Sequence, residues 1–270
     1  MRKLSTHLYL VLLILAVSCG QFRKIEKNPD WRVKYEAALN YYNKKDYYKA
    51  SALFEQILPI VRGLPEGEKV QFNLAYCQYY QKFYLLASEQ FKTFYETYGR
   101  SSLVEEARYM YAYSLHASSP GHELDQSNSR QAMGAMQEFI NRYPQSKFTE
   151  QADEAIKIIQ ARLEQKGFEN ARQYHKMRQY KAAIVALENF QKNFPDSKYI
   201  EEAQYLIILS QYELAQQSIY SRQEERYKEV VEYYKELVDK YPASTFLRDA
   251  ERVYTESLQK LTKFKSDKNI

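Results

Sequence analysis

The chain has 270 residues, 27% of them charged, and a formal net charge of +5. Seven Gly and seven Pro exclude a disordered or collagen-like composition and leave too few glycines for a turn-rich sheet fold or for phosphate-cradling loops; the anomaly is 27 Tyr. Bases and acids alternate along the body, which excludes a nucleic-acid footprint, and Lys260, Lys263, Lys265 and Lys268 read as a solvated tail.

At the N-terminus, Arg2 and Lys3 precede a ten-residue apolar run, Leu8 to Val17. A membrane span takes about 20 residues, so this run suits the core of a signal peptide instead. Ser18, Cys19 and Gly20 follow at once. A small residue before a Cys at this place resembles the lipobox of bacterial lipoproteins, although Ala16 stands where Leu is usual and Leu15 lies one place earlier. The resemblance implies a signal peptide over residues 1–18 and a lipidated tether over 19–30. Cys19 would then carry a covalent diacylglycerol and an N-acyl lipid such as palmitate. Gly20 in place of a retaining Asp implies the outer membrane by the same resemblance. Cys77 is then left without an intrachain partner. Its neighbours Leu74, Ala75 and Tyr76 make it a small buried hydrophobe rather than a reactive thiol.

Residues 31–270 read as a repeat domain. An aromatic, a turn residue, any residue and a Ser, with an Ala six places after the Ser, occur four times. The copies are Tyr98-Gly99-Arg100-Ser101 with Ala107, Tyr143-Pro144-Gln145-Ser146 with Ala152, Phe194-Pro195-Asp196-Ser197 with Ala203, and Tyr241-Pro242-Ala243-Ser244 with Ala250. Their starts lie 45, 51 and 47 residues apart, a period of stacked helical repeats. Pro ends one helix, Ser is expected to N-cap the next, and Ala lets two helices approach.

The first helix pair carries Ala38, Tyr41, Tyr47, Ala50 and Phe54 at the small and aromatic positions of a tetratricopeptide repeat. The second repeats this 37 residues on with Ala75, Tyr84, Ala87 and Phe91. The third has Ala107, Ala112, Ala132, Met136 and Phe139, with an insertion, Ala117 to Ser129, to which the stretched period is assigned. The fourth has Ala171, Tyr174, Tyr180, Ala183, Leu187 and Phe190; the fifth has Ala203, Tyr212, Tyr227, Tyr234 and Leu237. A last helix from about Phe246 to Phe264 caps the array. The expected fold is all-α: a superhelical stack of about five tetratricopeptide-like helix pairs plus a C-terminal capping helix.

No catalytic constellation emerges. His7, His116, His122 and His175 lack metal-ligand spacing, and no phosphate-loop or nucleophile-elbow motif occurs. The pairs Glu105-Glu106 and Glu201-Glu202 fall at helix starts, where acids complement the dipole. The expectation is a non-enzymatic protein with no metal and no cofactor beyond the lipid.

The lipobox, the repeats and the length together resemble the BamD (YfiO) family of outer-membrane assembly lipoproteins. Three local elements carry the likeness: Leu124-Asp125-Gln126-Ser127 with Arg130 and Ala132; Arg162-Leu163 with Lys166, Phe168, Ala171 and Tyr174; and Phe194-Pro195-Asp196-Ser197. The Tyr-rich style with its Ser-Pro-Gly insertion is most similar to Bacteroidetes members. The resemblance implies a periplasm-facing, lipid-anchored part of the β-barrel assembly (BAM) complex. Its C-terminal repeats would hold the POTRA domains of a BamA-like barrel protein, and its N-terminal repeats would receive unfolded outer-membrane proteins. Many family members have a basic residue just after the fourth-repeat Pro corner. Tyr199-Ile200-Glu201-Glu202 stands there instead, so that contact does not carry over. The alternative is a generic tetratricopeptide lipoprotein that scaffolds other envelope proteins.

In tetratricopeptide repeats certain first-helix positions face the concave surface. Mapped onto this chain, they give Arg32, Tyr35, Leu39 and Tyr42, then Lys69, Phe72, Tyr76, Tyr79 and Tyr80, then Tyr109 and Tyr113. A line of aromatics with two bases at its start suits an extended peptide with a terminal aromatic and carboxylate.

Overall fold

The computed structural model describes residues 21–267, so the signal segment, Cys19 and Lys268 lie outside the described residues. Within them the chain is all-helical and contains no strand. A helical segment at 21–26 precedes eleven helices. These are α1 (Trp31–Asn43), α2 (Tyr47–Val61), α3 (Pro65–Tyr80), α4 (Tyr84–Thr97), α5 (Val104–Ala117), α6 (Ser127–Arg142), α7 (Thr149–Lys176), α8 (Tyr180–Asn193), α9 (Ile200–Gln216), α10 (Tyr220–Lys240) and α11 (Leu247–Asp267). They form the five expected tetratricopeptide-like pairs, α1/α2 to α9/α10, with α11 as the last helix. The chain divides into two compact units that part between Ile159 and Gln160, within α7.

In the first unit each helix from α1 to α6 packs on the next. One core cluster gathers Ala38, Ala50, Leu53, Phe54 and Ile57 with Leu74 and Cys77. A second joins Phe72, Phe91, Phe94, Met110, Met136 and Phe139 to Ala152 and Ala155 of the first half of α7. In the second unit, Phe168 and Ala171 of the later half of α7 pack with α8 and α9, and α9, α10 and α11 share another cluster around Ile208, Val230, Leu237 and Val253. The small residues behave as crossing points should: Ala107, Ala152, Ala203 and Ala250 are all fully buried. Each lets a neighbouring helix approach without a gap to fill.

Residues 21–26 are helical rather than a free polar tether. Phe22 and Ile25 pack against the first cluster, and Phe22 meets Tyr41 edge-on at 5.8 Å. The folded body thus begins before residue 31, because two apolar side chains in this segment find a face to cover.

The corners between pairs differ from expectation in one respect. Tyr98, Tyr143, Phe194 and Tyr241 each end a helix, donating a backbone N–H to the carbonyl four residues back. The Ser of each copy is not the N-cap of the following α-helix. Leu103 and Tyr199 hold that position without any side-chain cap. Instead each Ser closes a lead-in turn, its Oγ accepting the N–H two residues on, at 3.0 to 3.3 Å in Ser101, Ser146, Ser197 and Ser244. The hydroxyl also reaches back a repeat. Ser101 donates to Glu68 at the start of α3, and Ser146 to Glu105 at the start of α5, at 2.6 Å for the latter. Acids that complement a helix dipole therefore also fix the register between consecutive pairs.

Three of the five corners within pairs use another device. At Lys45, Lys82 and Arg178 the backbone turns left-handed, with φ of 62°, 66° and 60°. Each is followed by a residue whose N–H reaches five residues back: Asp46 to Tyr41, Phe83 to Gln78, and Gln179 to Tyr174, all at 2.9 Å. These are Schellman motifs with a basic residue where Gly is usual. The cation sits at the negative end of the helix dipole, which offsets part of the conformational cost.

The insertion separates α5 from α6 within the third pair as expected, and the longest interval has a separate origin. The insertion after α5 falls in the 45-residue interval, whereas the 51-residue interval contains the 28-residue helix α7. Within the insertion, Gln126 is buried and knits the loop together. Its Nε2 donates to the carbonyls of Gly121 at 2.6 Å and Leu124 at 3.1 Å, and its Oε1 accepts from Ser129 at 2.7 Å. The Asp125-Gln126 element is thus a structural clasp at the start of α6.

Candidate functional site

The first helices of the second and third pairs and the leading half of α7 enclose an open cleft of about 840 Å³ in the first unit. Its aromatic wall follows from helical spacing. Tyr79 and Tyr80 both lie one turn after Tyr76 on α3, and Tyr113 lies one turn after Tyr109 on α5, so each set shares a face. The rings touch in a continuous lattice. Tyr76 stacks on Tyr80 at 5.7 Å, Tyr79 meets Tyr113 at 6.2 Å, and Tyr113 stacks on Tyr109 at 5.4 Å. Beneath them Tyr109 lies flat against Phe148 at 4.5 Å. The lattice continues past the cleft towards α1 through Tyr47, stacked on Tyr80 at 4.5 Å, and Tyr42, 5.7 Å from Tyr47.

The hydroxyls are anchored. Tyr76 donates to Glu106 on α5, and Tyr109 donates to Gln151 on α7 at 3.1 Å. Burial is the main cause that holds these phenols protonated. It raises Tyr76, with Glu106 adding to the effect, and it raises Tyr109. Tyr79 is pushed up to about 12 by burial and then by Tyr113 and its other tyrosine neighbours. Tyr76, Tyr79 and Tyr109 therefore present neutral phenols, not phenolates.

The α7 side of the cleft is charged. α7 contributes Glu150, Asp153 and Glu154 with a single lysine, Lys157, at helical spacing that puts them along one side of the cleft. Lys157 pairs with Asp153 at 2.7 Å. Its ammonium is held above its ordinary range by the hydrogen bond and charge of Asp153 first, with Glu154 and Glu150 adding. Among the described residues no cluster of three His, Cys, Asp or Glu could hold a metal, and no helix is long and apolar enough to cross a membrane.

The sequence-predicted residues divide. Tyr76, Tyr79, Tyr80, Tyr109 and Tyr113 line the cleft together. Phe72 does not. It is 8% exposed and packs on Phe91 and Phe94 beneath the tyrosines. Tyr35, Leu39 and Tyr42 are half-buried against the first core cluster. Arg32 and Lys69 lie outside the cleft lining, with the Arg32 guanidinium 4.8 Å from the centre of the Trp31 ring. Sequence reasoning missed the α7 wall. The signal was present as Glu150, Asp153, Glu154 and Lys157 at three- and four-residue spacing. It was hidden because α7 starts some twenty residues before the small-aromatic pattern of the fourth pair.

In the second unit a separate cleft of about 730 Å³ is lined by Tyr174, Arg178, Lys181, Val185, Ala186 and Leu214, among others. Val185 and Tyr174 are exposed large apolar side chains there. After the fourth-pair corner, Glu202 lies 3.6 Å from Arg172, which also pairs with Glu169 at 2.6 Å. Arg172 of α7 thus supplies a basic group beside this corner, in addition to Lys198 of the corner itself, whose ammonium lies 5.0 Å from the centre of the Tyr199 ring.

A family model described as YfiO, outer membrane lipoprotein, matches residues 29–203 and, in a second alignment, 164–264. No curated protein matches the chain. Among solved structures, two forms of a putative kinesin light chain of Podosopora anserina with nearly identical TPR-like repeats are similar, one of them a variant. Both are 14% identical and cover 79% of this chain, with 96% and 97% of their own length covered and TM-scores of 0.34 and 0.33.

Proposed function

The chain belongs to the YfiO family of outer membrane lipoproteins, and on that footing we propose that it is a lipid-anchored, non-catalytic scaffold of the outer-membrane β-barrel assembly machinery. In this reading the first unit receives segments of unfolded outer-membrane proteins, and the second unit holds the POTRA domains of a BamA-like barrel. The observation that carries it is the tyrosine-lined cleft on α3 and α5 of a chain with this family match. A Tyr presents apolar area, a hydrogen-bonding tip and few rotamers to lose, which suits capture of an extended peptide. The apolar cleft with Val185 in the second unit supports a protein-binding role for the later repeats. Only Gly20 separates Cys19 from the helical segment packed on the first pair. A lipid on Cys19 would hold that pair close to the outer membrane, facing the periplasm.

Two measurements test this. Mild-detergent pull-down of the full chain should recover a POTRA-bearing barrel protein; its reproducible absence would favour a generic envelope scaffold. Replacing Tyr76 and Tyr80 by Ala should weaken binding of unfolded outer-membrane-protein peptides about tenfold or more, as loss of aromatic anchors does. Unchanged affinity in a stably folded variant would remove the cleft from the proposal.

A further inference from the structure

We propose that the cleft between α3, α5 and α7 selects a peptide with a Lys or Arg side chain beside an aromatic residue, and disfavours a free terminal carboxylate. The proposal rests on the reading of this cleft as a peptide site and names the chemistry of its occupant.

Two independent features favour a cation. The first is the ring wall. Tyrosine faces carry the negative lobe of the ring quadrupole and attract ammonium and guanidinium groups. Tyr80 is 47% exposed even with Tyr47 and Tyr76 stacked on it, and Tyr76, Tyr79 and Tyr113 line the cleft beside it, so part of the ring surface remains for a ligand. The second is the α7 wall. Glu150, Asp153 and Glu154 face one lysine, Lys157, which Asp153 already engages at 2.7 Å. Glu106 adds a fourth carboxylate just behind the Tyr76 hydroxyl. A ligand carboxylate would meet three carboxylates on the α7 side and rings on the other, with Lys157 already engaged and His116 the one further basic residue in the lining. The bases that would receive it, Arg32 and Lys69, are not among the residues that line the cleft. A cationic side chain between the two walls satisfies both, while an adjacent aromatic extends the ring lattice. Glu150 and Glu154 are exposed, so their charge is available at the mouth and is subject to screening by salt.

The test measures fluorescence anisotropy of labelled peptides with the full chain in mild detergent. Four peptides share one aromatic-rich extended sequence. Three are amidated and carry Lys, Gln or Glu at one central position; the fourth is the Gln peptide with a free C-terminal acid. The Lys peptide should bind about three- to tenfold tighter than the Gln peptide, the range of partly exposed charge and cation–π contacts. The Glu and free-acid peptides should bind more weakly than the amidated Gln peptide. The Lys preference should shrink as salt rises. Glu150→Gln combined with Glu154→Gln should shrink that preference towards the part supplied by the rings and Asp153, with circular dichroism unchanged; an undiminished preference would overturn the role of the α7 wall. Equal binding of the peptides, or tighter binding of the free acid, would overturn the charge selection and leave the cleft as a peptide site. No saturable binding by any of the four would overturn it together with the peptide-site reading.

Discussion

Gly67 and Gly134 both lie in helices, yet the same substitution should move stability in opposite directions. A Cβ on Gly67 would stand 2.4 Å from the carbonyl oxygen of Val61, a backbone atom that cannot swing aside. Gly67→Ala should therefore cost about 1–3 kcal/mol in spite of the better helix propensity of Ala. A Cβ on Gly134 would meet nothing within 4 Å. Gly134→Ala should stabilise by about 1 kcal/mol, the helix-propensity difference alone. Urea unfolding of the two variants checks both signs, and a stabilised Gly67→Ala would show that α3 can shift away from the α2–α3 corner. The individual tyrosines were legible as a set because their spacing is local. Phe72 was not separable from them, since its spacing fits the same face and only the packing of Phe91 and Phe94 against it decides that it is core.

Two kinds of corner recur between the helices, and only one announces itself in the sequence. The aromatic-Pro-x-Ser corner is visible because Pro fixes φ and lacks the N–H that would carry the preceding helix on, and because the aromatic and Ser recur around it; Pro59 inside α2 lacks that setting. The left-handed corner within the first, second and fourth pairs is carried by Lys45, Lys82 and Arg178, residue types that say nothing about a left-handed backbone. Holding an L-residue there costs roughly 1–2 kcal/mol. Lys45→Gly and Lys82→Gly should each raise stability by up to about 1 kcal/mol, the loss of the basic group at the helix C-terminus offsetting part of the gain. Thermal melts of the single and double variants measure this, and the two effects should add because the corners are separate. Destabilisation by both would mean that the lysine stems, not the backbone strain, dominate these turns. The insertion is likewise legible in position but not in structure: Gln126 looked like part of a family signature and proves to be the buried clasp of its own loop.

Across the molecule, burial of phenols and of one thiol links stability to pH. Tyr79, Tyr95 and Tyr212 are pushed from 10.0 up to about 12, and Cys77 from 9.0 up to about 12, in each case by burial first. These groups keep their protons in the folded chain at a pH where the unfolded chain has lost them. The native state then binds more protons than the unfolded state, so stability falls as pH rises. The melting temperature should hold level up to about pH 9 and drop between about pH 9 and 12, first through Cys77 and then through the tyrosines. Cys77, fully buried, should also resist thiol reagents until the chain unfolds. A melting temperature that stays constant through this alkaline range would contradict the burial of these groups.

Residue order alone was enough for the all-α class, the five pairs, the capping helix and the line of tyrosines, because each of these rests on spacing within one helix or on a local corner. It also carried the family resemblance that the YfiO match bears out. The character of the cleft, by contrast, came from packing. The tyrosines of α3 and α5 acquire their charge environment from Glu150, Asp153 and Glu154, some 70 residues beyond Tyr80, and no periodicity within a helix says which distant helix will face it. An expected pair of welcoming bases became an acidic wall for that reason: side-chain order along a helix is local, whereas the electrostatics of a groove belong to whichever helices pack around it.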